Sequence, residues 1–130
     1  STIDLSSVDY KFFGESAFDY TGYAVAAAGD VDADGLADMM IASYSDDDGG
    51  SGAGAAYLGL GSRLGSTSLI DLALVNPKLV GDSTSDNAGS SLANVGDIDG
   101  DGFDDLAIGA LHDADGGGGA GAAYLILTGG

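Results

Sequence analysis

Two nine-residue runs place carboxylates at alternate positions: Asp30-Val31-Asp32-Ala33-Asp34-Gly35-Leu36-Ala37-Asp38 and Asp97-Ile98-Asp99-Gly100-Asp101-Gly102-Phe103-Asp104-Asp105. Both read D-x-D-x-D-G-x-x-D. A hard divalent cation takes about six to eight oxygens, and a loop that curls so that its first, third and fifth residues face inward offers three carboxylates around one centre. Glycine at the sixth position, Gly35 or Gly102, permits the sharp turn because it reaches positive φ without a Cβ clash. The carbonyl of Leu36 or Phe103 comes next. The last acid, Asp38 or Asp105, returns from the start of the following strand with both oxygens on offer, and water completes the shell.

Carboxylates gathered this closely repel one another, so the pattern is costly unless a cation neutralises it. Oxygen donors without Cys, and with no His in either loop, favour calcium over zinc, and ligand number favours calcium over magnesium. The expectation is two calcium ions per chain. An EF-hand opens with the same letters but needs an acid at its twelfth position, which here is Ile41 or Ile108.

No constellation for catalysis stands out. His112 is the single histidine, and its counterpart in the first half is Ser45, so a Ser-His-Asp reading with Asp113 or Asp115 has no repeat behind it. Glu15 is the single glutamate, and no second acid is singled out to face it across a cleft as glycoside hydrolysis requires. The chain is expected not to be an enzyme. The acids Asp46-Asp47-Asp48 and Asp113-Ala114-Asp115, each followed by two glycines, read as solvated mobile loops, with a second cation there left open. Tyr57 and Tyr124 read as packing residues, while Tyr10, Tyr20, Tyr23 and Tyr44 are candidates for stacking on sugars.

The elements that must position the acidic loops repeat with them. Asp30 falls on Asp97, Gly22 on Gly89 and Tyr57 on Tyr124, all in a gap-free register of 67 residues. Residues 1–63 form a first unit, 64–67 a joint and 68–130 a second unit. A repeat of this length with glycine-broken apolar runs points to stacked or radial architectures. Within each unit the runs are too short for helices and read as strands. They are Tyr23 to Ala28, Asp38 to Ser43 and Ala55 to Leu60, then Ser90 to Val95, Asp105 to Ala110 and Ala122 to Leu127. A fourth strand is expected over Ile70 to Val75, copied at Ile3 to Val8. The fold expected is all-β, as two four-stranded antiparallel propeller blades.

Composition narrows the partners. With 21 acidic and 3 basic residues in 130, the formal charge is -18, which repels nucleic acid and anionic lipid alike. Cysteine is absent, so disulfide frameworks and thiolate metal sites are excluded. No apolar run approaches a bilayer span and none opens the chain as a signal peptide, so neither a membrane nor nucleic acid is expected as a partner.

These features resemble the FG-GAP repeats of integrin-type β-propellers over nearly the whole chain, twice. The cage is intact in both copies. The glycine of the family's Phe-Gly element is kept as Gly22 and Gly89 with Thr21 and Ala88 in place of Phe, and the Gly-Ala-Pro element appears without proline as Ala42-Ser43-Tyr44 and Gly109-Ala110-Leu111. The resemblance implies structural calcium bracing the hairpin between first and second strands, and an extracellular or cell-surface setting. It implies a scaffold or an adhesion and ligand-binding surface for a protein or glycan; a carbohydrate-binding or polysaccharide-active propeller is the alternative. Two blades cannot close a ring and leave strand edges open. The spare N-terminal strand, expected at Ile3 to Val8, and a vacancy outside the last strand imply head-to-tail homo-oligomers closed by rotation, with the trimer of six blades favoured over the tetramer of eight.

Overall fold

The computed structural model describes residues 1–129 and contains strands and short 3-10 turns, with no α-helix among them. Strand β1 is Lys11–Phe13, β2 Thr21–Gly29, β3 Asp38–Ser43, β4 Ala55–Gly59, β5 Leu69–Asp71, β6 Lys78–Val80, β7 Ala88–Gly96, β8 Asp105–Ala110 and β9 Ala122–Ile126. Two antiparallel sheets dominate, ordered β2-β3-β4-β6 and β7-β8-β9, and a small parallel pair joins β1 to β5. The fold is therefore all-β, as the sequence implies, with one sheet of four strands and one of three.

The two sheets lie side by side and share a core. Ala28, Val31, Met40 and Leu58 of the first sheet and its loop pack with Leu106 of the second, and Ala56 packs with Ala88, Ile108 and Ala110. Alanine recurs along β2 and β7 because these first strands of neighbouring sheets run close together, where larger side chains would hold the backbones apart. The central strand β3 is buried along nearly its whole length, which explains its unbroken apolar run Met39-Met40-Ile41-Ala42. A bridge between Gly54 and Ala88 ties the first sheet to the start of the second.

The fourth strand differs from the sequence expectation. Ile3 to Val8 and Ile70 to Val75 are not outer strands: each holds a 3-10 turn, at Leu5–Ser7 and Leu72–Leu74. The cause is local. Asp4 and Asp71 accept a hydrogen bond from the backbone N–H two residues on, at 2.8 Å from Ser6 and 3.0 Å from Ala73, which curls the chain instead of extending it. The outer strand of the first sheet is β6, paired with β4 so that Tyr57 faces Lys78, Ala56 faces Leu79 and Ala55 faces Val80. Its copy 67 residues earlier is β1, Lys11–Phe13.

Leu106 is 1% exposed and belongs to the core shared by both sheets. Leu106→Ala should cost about 2–5 kcal/mol in a urea melt by leaving a cavity between the sheets; a loss within experimental error contradicts this core.

Candidate metal centre

Both nine-residue loops join the first and second strands of a sheet, β2 to β3 and β7 to β8. Matching backbone donors shape them, with one more in the second loop, where the Gly100 N–H donates to Asp97 at 2.8 Å. The Asp30 carboxylate accepts N–H bonds from Asp34 at 3.0 Å and Gly35 at 2.9 Å, and the Asp34 carboxylate accepts from Leu36 at 2.8 Å. In the second loop Asp97 accepts from Asp101 at 3.0 Å and Gly102 at 2.8 Å, and Asp101 accepts from Phe103 at 3.0 Å. Gly35 and Gly102 have φ of +86° and +92°, the turn that the sixth position requires.

Carboxylate oxygens of Asp30, Asp32 and Asp38 lie within 4.8 Å of one another, as do those of Asp97, Asp99 and Asp101. Each triad is spaced for a single cation. Asp34 stands outside the first triad and Asp105 outside the second, while the Leu36 side chain is exposed and that of Phe103 half-buried. Asp38 and Asp105 are buried, and each spends both oxygens on backbone donors. Asp38 accepts from Val31 at 2.9 Å and Gly61 at 2.8 Å; Asp105 accepts from Ile98 at 2.8 Å and Thr128 at 3.0 Å. These two acids therefore lock the loop to the end of the third strand, with their second lone pairs left over for a cation.

Charge inside the loops is only partly offset. Hydrogen bonds from Gly102 and then other backbone groups outweigh burial and hold Asp97 below the usual aspartate range. Desolvation, reinforced by neighbouring carboxylates, pushes Asp32 and Asp99 above it. A further acid links the loops. Asp104, an unassigned position in the nine-residue pattern, accepts from the Asp30 N–H at 3.1 Å, and its own N–H donates to the Asp30 carbonyl at 3.3 Å. Its counterpart in the first loop is Ala37, so no repetition draws attention to it.

In the Asp46 and Asp113 loops the first acid is buried while the acids after it, Asp47, Asp48 and Asp115, are exposed. Asp46 and Asp113 are each 1% exposed, and their carboxylates accept the hydroxyls of Tyr57 at 3.2 Å and Tyr124 at 2.6 Å, which gives these tyrosines a role beyond packing. In the first sheet Lys78 supplies the missing cation, 2.8 Å from Asp46 and 2.7 Å from Asp48 and also bonded to Glu15. Burial works against the ammonium, but the hydrogen bonds it donates to Asp46, Asp48 and Glu15 prevail and hold Lys78 charged. The Lys78 and Tyr57 hydrogen bonds in turn keep the Glu15 carboxyl below the usual glutamate range. His112 sits at the surface, its Nδ1 2.7 Å from the Asn87 Oδ1.

Two antiparallel sheets, each carrying the same acidic hairpin loop between its first two strands, define a duplicated blade-repeat protein. Residues 88–126 match the FG-GAP repeat model. The chain is 37% identical over 115 residues to integrin alpha-5 of Xenopus laevis, covering 82% of this chain and 10% of that protein. It is 35% identical over 121 residues to integrin alpha-PS5 of Drosophila melanogaster, covering 91% of this chain and 11% of that protein. The chain belongs to the FG-GAP repeat family and spans about a tenth of the length of these relatives.

Two predictions follow from the loops and from the Lys78 cluster. Ala33 has φ +57°, whereas its counterpart Gly100 has φ +78° in open space. Ala33→Gly should stabilise the chain and Gly100→Ala destabilise it, each by about 1 kcal/mol in denaturant melts; equal melts for variant and parent contradict the left-handed turn. Because Glu15 titrates lower when folded, its contribution is fully present above the ordinary glutamate range and is lost as pH falls through the lowered value. Glu15→Gln should therefore flatten the acid limb of the stability profile, and an unchanged limb counts against the Lys78 cluster.

Proposed function

We propose that the chain is a non-catalytic, calcium-binding β-propeller module that serves as a structural scaffold or an adhesion and ligand-binding surface. One observation carries this: both β-hairpin loops bring three carboxylates together around one centre, the first two acids of each loop with Asp38 in one and with Asp101 in the other, and the first acid of each takes the same pair of backbone hydrogen bonds. A divalent ion in each loop relieves the like-charge repulsion and pins the first two strands of the blade together, a structural rather than a catalytic role. Asp30, Asp32 and Asp38 would hold one ion and Asp97, Asp99 and Asp101 the other, with Asp34, Asp105 and the carbonyls of Leu36 and Phe103 completing the shells. Calcium suits an all-oxygen donor set in a flexible loop. The likeness to integrin alpha chains supports an adhesion or ligand-binding surface for a protein or glycan, in an extracellular or cell-surface setting. Self-assembly head to tail, as a trimer in preference to a tetramer, closes the ring.

The alternative, a carbohydrate-binding or polysaccharide-active propeller with structural calcium, draws on a cluster of tyrosines. Tyr44 packs against Tyr23 at 4.2 Å and Tyr20 at 5.7 Å between ring centroids, and Tyr20 and Tyr23 are each 57% exposed. A glycan array decides for this alternative if binding is lost on Tyr23→Ala.

Isothermal titration should give two calcium ions per chain, falling to one in Asp32→Asn or Asp99→Asn, and chelation should lower the melting temperature. Absence of calcium uptake by the parent chain overturns the proposal.

A further inference from the structure

Among the described residues the second sheet ends at β9, and beside its unpaired edge lies an acidic cluster with no cationic side chain in it. Every residue around Lys78 in the first sheet has a counterpart in the second. Glu15 becomes Asp82, Asp46 becomes Asp113, Asp48 becomes Asp115 and Tyr57 becomes Tyr124. The Tyr124 hydroxyl donates to Asp113 at 2.6 Å and lies 3.1 Å from Asp82, so the tyrosine and two acids are placed as in the first sheet, while the third acid converging with them is Asp86 and Asp115 stands exposed nearby. What is absent beside these acids, among the described residues, is a lysine: the ion pairs there all run to Lys78. With no ammonium present, desolvation and the carboxylates of Asp82, Asp113 and Asp115 push Asp86 above the usual aspartate range.

The chain also carries the lysine that fits. Its basic residues are Lys11, Arg63 and Lys78, and Lys11 stands on β1, the repeat counterpart of β6. Lys11 is exposed. Strand β1 has one edge occupied, since the Lys11 N–H donates to the Ser68 carbonyl at 2.7 Å. Alternate backbone groups of a strand point to opposite edges, so the Tyr10 carbonyl and the Gly14 N–H belong to the other edge. Their counterparts are the groups that join β6 to β4: the Leu58 N–H donates to the Pro77 carbonyl at 3.1 Å, and the Gly81 N–H donates to the Gly54 carbonyl at 2.7 Å.

Resting on the propeller reading above, we infer that β1 of a second copy of this chain pairs antiparallel with β9 and places its Lys11 ammonium among Asp82, Asp113 and Asp115 beside the Tyr124 hydroxyl. The register follows from β4 and β6: Lys11 opposite Tyr124, Phe12 opposite Ala123 and Phe13 opposite Ala122. The contact covers the open edge of β9 and neutralises the second acidic pocket with one strand. It is heterologous, so repetition around an axis closes a ring. The docking element is thus Lys11–Phe13, not the turn-forming Ile3 to Val8.

The chain has no cysteine, which makes the register directly testable. Directly opposed residues of an antiparallel pair are close enough for a disulfide. Phe13→Cys combined with Ala122→Cys should, on mild oxidation in calcium, give a reducible ladder of covalent multimers, whereas Ile3→Cys with Ala122→Cys should not. In sedimentation velocity at micromolar concentration the parent should run as three or four chains. Lys11→Glu, with its strand content confirmed by circular dichroism, should weaken association by roughly tenfold or more. A parent sedimenting as one chain, or Lys11→Glu assembling like the parent, overturns the pairing. Calcium uptake measured on the same sample separates the two claims: a chain that binds calcium and sediments as one copy defeats the strand pairing and leaves the calcium reading standing.

Discussion

Disposal of negative charge is the constraint on which the rest of the structure depends. A chain with formal charge -18 has folded its acids into clusters, at the hairpin loops and at the Asp46 and Asp113 turns, instead of dispersing them over the surface. Clustered carboxylates destabilise a fold unless each finds a donor or a cation. The backbone supplies the first answer. In both hairpin loops N–H groups converge on the first and third acids, and the buried last acid takes two donors from elsewhere in the sheet. Such donors stiffen the loop without removing its charge, and a bound cation is the physical complement.

The duplication shows what local sequence determines and what its surroundings decide. Most hydrogen bonds inside the two loops agree, because they depend on residues within a few positions of one another, and the extra bond from Gly100 to Asp97 falls where the first loop has Ala33. The acidic pockets agree in their tyrosine and aspartate but part company at the lysine, which arrives on a strand of the following unit. The first sheet takes its fourth strand, β6, from the second unit. Among the described residues the first sheet has four strands and the second three.

The central strands were legible in the sequence for a plain reason. Asp38–Ser43 and Asp105–Ala110 combine an acidic loop at their start with an apolar run long enough to show what is buried. The outer strand was not legible. Lys78–Val80 has three residues, too few to establish a period, while the longer apolar stretch Ile70 to Val75 imitates a strand but is turned by the Asp71 carboxylate. The metal-ligand pattern marked both loops, yet spacing alone could not tell that Asp38 converges with the first two acids of one loop and Asp101 with those of the other. Asp46 was misjudged because Asp-Asp-Asp-Gly-Gly has the composition of a solvent loop. Its burial is set by Tyr57 and Lys78, distant in sequence and brought in by sheet pairing. The equivalence of Lys11 and Lys78 was visible in the 67-residue register, and it acquires meaning only once Lys78 is seen among its acids.

The central claim is that cations held in the two acidic hairpin loops brace the blades. Hydrogen exchange read peptide by peptide, in calcium and in chelator, tests it most directly. Calcium should slow exchange across residues 30–38 and 97–105 and along the β2–β3 and β7–β8 ladders they join, with a smaller effect at the remote β1–β5 pair. Equal exchange in the two hairpins with and without calcium would contradict it.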